Sequence, residues 1–172
     1  MSFLDLMKER YSVRKFSDKK VEDEKLELIL EAGRVAPTAK NYQPQRMLVL
    51  RSEENIAKLN KLSPCVYGAT TAIMVCGDER VAWQNEQDGT DSTPIDTAIV
   101  ATHMMLEAWE LGVGSCWVGV FHHKEAIEMF NVPEGLRPYC IRMHGYPTET
   151  CKPAGLHFKK LDKSETVFYE NF

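Results

Sequence analysis

The stretch Arg10-Tyr11-Ser12-Val13-Arg14 decides how this chain is interpreted, because two arginines and a serine recur at every second residue just after a short amphipathic segment. In an extended backbone successive side chains point to opposite faces, so Arg10, Ser12 and Arg14 share one face. Tyr11 and Val13 then face the other way. Guanidinium groups bind phosphate oxygens in pairs, and a serine hydroxyl can donate a third hydrogen bond. The pattern indicates either an anion site or a basic surface turn that pairs with neighbouring acids.

A loop of small and amide residues, APTAKNYQP at 36–44, follows a helical pattern and precedes an apolar strand. The primary amides of Asn41 and Gln43 donate and accept hydrogen bonds, which suits the edge of a heterocycle. A plain helix-to-strand connection explains the same residues equally well, since Pro37 ends a helix and Pro44 shapes a turn.

Glycines flank a tryptophan in a third segment, LGVGSCWVGVF at 111–121, which runs from a helix end into a short apolar strand. A glycine lets the backbone approach a flat ligand closely, so that peptide groups become the functional atoms. A helix C-cap at Gly112 and a β-bulge at Gly119 would explain these glycines without any ligand. This segment therefore supports a ligand site only in combination with the other two.

Together these segments resemble the nitroreductase family of flavin mononucleotide (FMN) enzymes. The resemblance spans nearly the whole chain and is carried, in order, by residues 10–16, 36–44, 112–119, 145–147 and 167–170. It implies an α+β fold in which a mixed central sheet is flanked by helices, with residues 1–172 as a single FMN-binding domain. It also implies an intertwined homodimer with two flavins at its interface, in which a C-terminal extension crosses to the partner.

The resemblance assigns the phosphate contacts residue by residue. Arg10, Ser12 and Arg14 would hold the FMN phosphate and the ribityl chain next to it. One of Lys159 and Lys160 would add positive charge there, although the family usually has an arginine followed by a proline at this place.

Two further sets would surround the flavin ring in the same resemblance. One set would approach the flavin bound by the partner chain, and comprises Pro37, Thr38, Ala39 and Asn41. The other would lie along the ring, with a backbone N–H near N5, and comprises Cys116, Trp117, Val118 and Gly119. A positive charge near the flavin N1 would favour the anionic reduced state, and Lys58 and Lys61 are the candidates for it.

The implied activity is that of an FMN-dependent oxidoreductase. NADH or NADPH would deliver hydride to N5 and leave before a nitroaromatic, a quinone or a related acceptor enters the same cleft, in a ping-pong cycle. A flavin storage or sensing protein, or a specialised flavin-dependent reductase or oxidase, would keep the same contacts. A dinucleotide-binding Rossmann enzyme is disfavoured, because Gly112 and Gly114 lack the third glycine of G-x-G-x-x-G and follow a helix.

Composition narrows the class of protein. A chain of 172 residues with 44% apolar content can bury one core, and its net charge of −4 argues against non-specific nucleic-acid binding. The five cysteines have no C-x-x-C or metal-finger spacing, and the adjacent His122 and His123 cannot share a helix face, so no metal is expected. We find no signal peptide and no apolar run of the ~20 residues that span a bilayer, and expect a soluble, cytoplasmic protein with reduced thiols.

Periodicity and turn residues predict the elements. A Ser-x-x-Asp start opens a first helix at Ser2, and Asp23 caps a second one. Further helices are predicted at 53–61, 95–111 and 124–130, and strands at 46–50, 71–76 and 137–144. The polar stretch 78–94 is a candidate mobile loop, in which Trp83 either caps a bound aromatic or packs under the loop. Apolar residues on two sides of the helix at 95–111 and at the C-terminus, Val167 to Tyr169, predict contact with a partner subunit.

Overall fold

The computed structural model describes residues 2–172 and shows five α-helices around one four-stranded sheet. The helices are α1 (Phe3–Glu9), α2 (Asp23–Arg34), α3 (Glu53–Leu62), α4 (Thr93–Glu110) and α5 (His123–Met129). The strands are β1 (Gln45–Leu50), β2 (Thr71–Asp78), β3 (Gly114–Val118) and β4 (Leu136–Gly145). The predicted bounds of these elements hold to within two residues.

The helix starts follow from local hydrogen bonding. The Ser2 hydroxyl accepts from the Asp5 N–H at 3.2 Å, and the Asp5 carboxylate accepts from the Ser2 N–H at 3.1 Å, which is the predicted capping box. The predicted cap of α2 is wrong, because Glu22 is the N-cap residue and Asp23 is already helical. Asp23 instead pairs with Arg51 at 2.5 Å, and its charge in the first turn still complements the helix dipole.

The sheet has the strand order β1-β2-β4-β3, and all three strand pairs are antiparallel. The predicted mixed sheet is therefore wrong for these four strands, and parallel pairing within residues 2–172 is limited to an isolated bridge between Ser12 and Ser115. All eight residues of β2 are buried, as its continuous apolar run predicts for a strand covered on both faces. The α+β class is confirmed.

Helices cover both faces of the sheet and so form two cores. On one face α2 and α4 pack on the sheet, and Met104 and Val75 are fully buried there. On the other face α3 and α5 do so, around Leu59 and Ile141. The sheet-facing side of α4 is buried, whereas Ile95 at its start is 65% exposed.

The structure differs from the sequence predictions in the stretch 78–94 and at the C-terminus. The stretch 78–94 is not an open loop, because Gln84 and Asp91 pair as a β-bridge and the Ser92 N–H donates to the carbonyl of the half-buried Trp83 at 2.9 Å. The C-terminal residues 167–172 form no strand with the rest of residues 2–172, and their apolar side chains are exposed. Their packing on a partner subunit stays a prediction.

Candidate functional site

The segment after α1 is extended and is fixed against the edge of the sheet. Val13 is fully buried, and its N–H donates to the Ser115 carbonyl at 2.9 Å. A Cβ on Gly114 would lie 2.6 Å from the Val13 side chain, so only a glycine permits this approach. Because Val13 points inward, the predicted alternation directs Ser12 and Arg14 outward.

A cleft of about 430 Å³ opens beside this segment. Its lining residues are Arg10, Tyr11, Ser12, Arg14, Ala154, Leu156, His157 and Lys160. The structure thus brings the three predicted residues of the first motif together with Lys160, whose Nζ donates to the His157 carbonyl at 2.9 Å. Lys159 does not line the cleft, so of the two predicted lysines the geometry selects Lys160.

Tyr11 corrects the predicted alternation, because it lines the same cleft as the arginines instead of facing away from them. Its ring packs edge-on against Trp109, with 5.2 Å between centroids, and lies 6.4 Å from the His157 ring. Burial raises the pKa of the Tyr11 hydroxyl, so it stays a neutral hydrogen-bonding group. Sequence reasoning missed His157, since nothing in its local pattern links it to the first motif.

The electrostatics of the cleft favour an anion. Arg10, Arg14 and Lys160 all line it, and no acidic side chain does. Within the described chain neither arginine forms an ion pair with a carboxylate, which argues against the basic-turn alternative. Three like charges around one opening repel one another until an anion lies between them. Two guanidinium forks and a hydroxyl are well matched to a phosphate group.

Strand β3 is buried except at Trp117. Cys116 and Val118 are buried in the core, and burial raises the pKa of the Cys116 thiol. Trp117 points to the opposite face and is 40% exposed. Gly119 follows the last residue of β3, so it is not a bulge, and a Cβ there would meet open space. The C-cap of the preceding helix is Leu111, and the predicted Gly112 follows it with a φ of +73°, the left-handed conformation that commonly ends a helix.

The loop at 37–41 is held by the first turn of α4. The Asp96 carboxylate accepts from the Ala39 N–H at 2.9 Å and from the Ser92 hydroxyl at 2.7 Å. Asn41 is exposed and has a φ of 56°. Trp109, which contacts the cleft through Tyr11, lies thirteen residues beyond Asp96 on the same helix. That spacing is about 20 Å along the axis. The loop and the cleft of one chain therefore do not meet.

The two lysines proposed to sit near the ring differ in their surroundings. Lys58 forms an ion pair with Glu54 at 2.8 Å on α3. Lys61 is exposed near the end of the same helix. There the Ser63 hydroxyl donates to the Val120 carbonyl at 2.5 Å, so this helix end adjoins the residues that follow β3. Lys61 is consequently the better placed of the two.

Sequence reasoning missed two fully buried polar residues on β4, Arg142 and His144. An Arg142 Nη donates to the Ser115 hydroxyl at 2.9 Å, and its guanidinium lies 5.2 Å from the centroid of the Trp117 ring. Burial lowers the pKa of Arg142 to about 10. Burial and the charge of Arg142 lower that of His144 to about 3. Their spacing of two among the apolar residues Cys140, Ile141 and Met143 was the available signal, because it places both on one face.

Residues 2–172 contain no group of three or more histidine, cysteine, aspartate or glutamate side chains suited to a metal ion. The five cysteines are free thiols. No helix in the described part of the chain combines the length and the apolar character needed to cross a bilayer.

The fold and the site define an α+β protein with a cationic cleft beside one edge of its sheet, which suits a phosphate-bearing cofactor. The sequence profile of the Nitroreductase family matches residues 7–65 and 60–146. The chain therefore belongs to the nitroreductase family.

Known relatives agree with this assignment. The chain is 44% identical to a nitroreductase family protein from Clostridium difficile 630 over 100% of both chains, with a TM-score of 0.94. It is 28% identical to an FMN-dependent nitroreductase from Clostridium difficile R20291, over 98% of this chain and 99% of that one, with a TM-score of 0.79. A Methanothermobacter thermautotrophicus protein, provisionally named NADH dehydrogenase/NAD(P)H nitroreductase, is 30% identical over 87% of this chain and 79% of its own length.

Proposed function

We propose that this enzyme uses NADH or NADPH to reduce nitroaromatics, quinones or related acceptors by a ping-pong mechanism. The chain is an NAD(P)H-dependent flavin oxidoreductase, and FMN is its cofactor. FMN supplies a hydride acceptor when it is bound, and the protein binds, orients and tunes it. The observation that carries the proposal is the cleft with three cations and no acid.

The cleft residues fit the terminal phosphate of FMN. Arg10 and Arg14 would each offer a guanidinium fork, Ser12 a hydroxyl and Lys160 a third positive charge. The phosphate charge would relieve the repulsion among these cations. Since the overall net charge is −4, this local cluster is what attracts an anionic cofactor.

Backbone groups of β3 would lie along the flavin ring. Cys116 and Val118 are buried as whole residues, so a planar ligand can reach this segment at Trp117 and at the peptide groups around Gly119. No acidic or basic side chain is placed there as an obligatory proton donor, so solvent would protonate the product. One such site for both the nicotinamide and the oxidant requires that they bind in turn.

A homodimer would complete the site. Apolar side chains of Phe3, Leu28 and Val35 line a surface cavity of about 420 Å³ between the helices, and Ile95 is exposed beside a second apolar depression. Covering this surface with a second copy would bury it. The loop from Pro37 to Asn41, which is held at the opposite end of α4 from Trp109, would then approach the flavin of the partner. The exposed apolar residues of the C-terminal tail would cross to the partner's sheet.

Two further assignments accompany this function. We treat residues 1–172 as one FMN-binding domain, and we place the enzyme in the cytoplasm, where the five free thiols would stay reduced. Neither nucleic acid nor a membrane is required as a partner.

The purified protein should be yellow and should release FMN, not flavin adenine dinucleotide, on heating. With NADH or NADPH and a quinone, double-reciprocal plots should be parallel. Convergent lines would mean that nicotinamide and oxidant bind together, and the shared site would be wrong. A yellow protein without turnover would indicate flavin storage or sensing, and a colourless protein that fails to bind added FMN would refute the cofactor assignment.

A further inference from the structure

Arg142 lies directly behind the backbone segment assigned to the flavin ring. It pairs with Trp117 across β4 and β3, and one of its Nη atoms donates to the Ser115 hydroxyl at 2.9 Å. Its guanidinium lies over the Trp117 ring at 5.2 Å, within the range of a cation–π contact. Arg142 does not line the phosphate cleft. Its pairing with Trp117 places it next to the segment assigned to the flavin ring.

The charge of Arg142 has no counter-charge in the described part of the chain. The side chain is completely buried, its Nε and second Nη have no hydrogen-bond partner, and no carboxylate forms an ion pair with it. The ionisable groups around it are the thiols of Cys140 and Cys116, Arg10, which repels it, and His144, whose pKa its charge lowers. A buried charge without a partner is costly, and proteins retain one where a ligand or a reaction supplies the opposite charge.

Resting on the proposed function, we infer that Arg142 is a positioning residue that stabilises the negative charge gained by the flavin ring on reduction. Hydride transfer moves two electrons and one proton from the nicotinamide, which becomes NAD⁺ or NADP⁺, and leaves the ring with one additional negative charge. A fixed cation in a buried, water-poor position stabilises such a charge more than a solvated one does. Arg142 is better suited to this role than Lys58, which is already paired with Glu54.

The test compares R142Q with R137Q in the FMN-loaded protein. Arg137 lies on the same strand but is exposed and near Glu79, so its substitution removes the same charge outside the site. For R142Q the affinity for reduced FMN should fall on the order of tenfold more than that for oxidised FMN. This tenfold difference corresponds to a flavin reduction potential about 30 mV lower in R142Q, since the couple transfers two electrons. R137Q should leave the potential unchanged.

A second measurement needs only the wild-type protein. If the reduced ring stays unprotonated beside Arg142, its potential should change by about 30 mV per pH unit between pH 5.5 and 7, because two electrons are taken up with one proton. A slope of about 59 mV per unit would mean two protons, and would overturn the inference even if R142Q cannot be produced.

Three outcomes separate the inference from the proposed function. A wild-type protein that binds no FMN refutes the function itself. An R142Q variant that binds FMN with an unchanged ratio of reduced to oxidised affinity refutes only the role of Arg142. A change in that ratio in K61Q but not in R142Q does the same. R142Q could instead bind oxidised and reduced FMN more weakly to the same extent while binding riboflavin as tightly as the wild type does. That result would mean that Arg142 acts on the phosphate, and it would overturn the inference.

Discussion

The buried imidazole of His144 should make the protein lose stability in mildly acidic solution. The side chain is fully buried, and within residues 2–172 neither ring nitrogen has a hydrogen-bond partner. Burial and the positive charge of Arg142 lower its pKa to about 3. In the unfolded chain a histidine has a pKa of about 6.5. His144 is therefore neutral in the folded protein at pH values where the unfolded chain is already protonated.

The sign and size of the effect follow from this difference. Above pH 6.5 neither state binds the proton, so His144 makes no pH-dependent contribution. Between about pH 6.5 and 3 only the unfolded state binds it, so the free energy of unfolding falls as the pH falls. A pH of 4.5 lies about two units below the pKa of His144 in the unfolded chain. Each unit is worth about 1.4 kcal/mol, and the expected loss is roughly 2.7 kcal/mol.

The assay is urea unfolding at pH 7.5 and at pH 4.5 for the wild type and for H144M, whose apolar side chain has a similar volume. Because all other titrating groups are shared, the difference between the two proteins isolates His144. The wild type should lose roughly 2.7 kcal/mol more than H144M over this interval. The exposed His122 offers a matched control, and H122M should lose as much unfolding free energy between the two pH values as the wild type does. Equal losses in wild type and H144M would refute the reasoning.

Three further predictions concern the cleft, its edge and the tail. R14A should weaken FMN binding by about 1.5–3 kcal/mol, roughly tenfold or more, while K159A should leave the affinity measured by flavin fluorescence unchanged. Equal affinities for R14A and wild type would restore the basic-turn alternative. G114A should destabilise the fold by about 1–3 kcal/mol in urea, because its Cβ would lie 2.6 Å from Val13; an unchanged midpoint would mean that the segment shifts freely. Truncation after Asp162 should lower dimer content and flavin occupancy together, since burying each apolar tail residue is worth roughly 1.5–3 kcal/mol. A truncated protein that sediments as a dimer and stays fully yellow would show that the tail stabilises neither the dimer nor flavin binding.

The sequence by itself determined the local elements and the motifs. The capping box at Ser2 and the helix end at Gly112 both depend on residues within four positions of each other. Side-chain periodicity and cap chemistry are local properties, so they can be read from a short window. The five motifs in order were likewise enough to indicate the family.

The tertiary structure alone decided which distant residues share a site. It selected Lys160 over Lys159, turned Tyr11 into the cleft, and placed Asp96 under the loop at Ala39. It also set Arg142 behind β3, because the strand order is β1-β2-β4-β3. These pairings join residues far apart in the chain. They arise from packing and strand register over the whole fold, which no local pattern encodes.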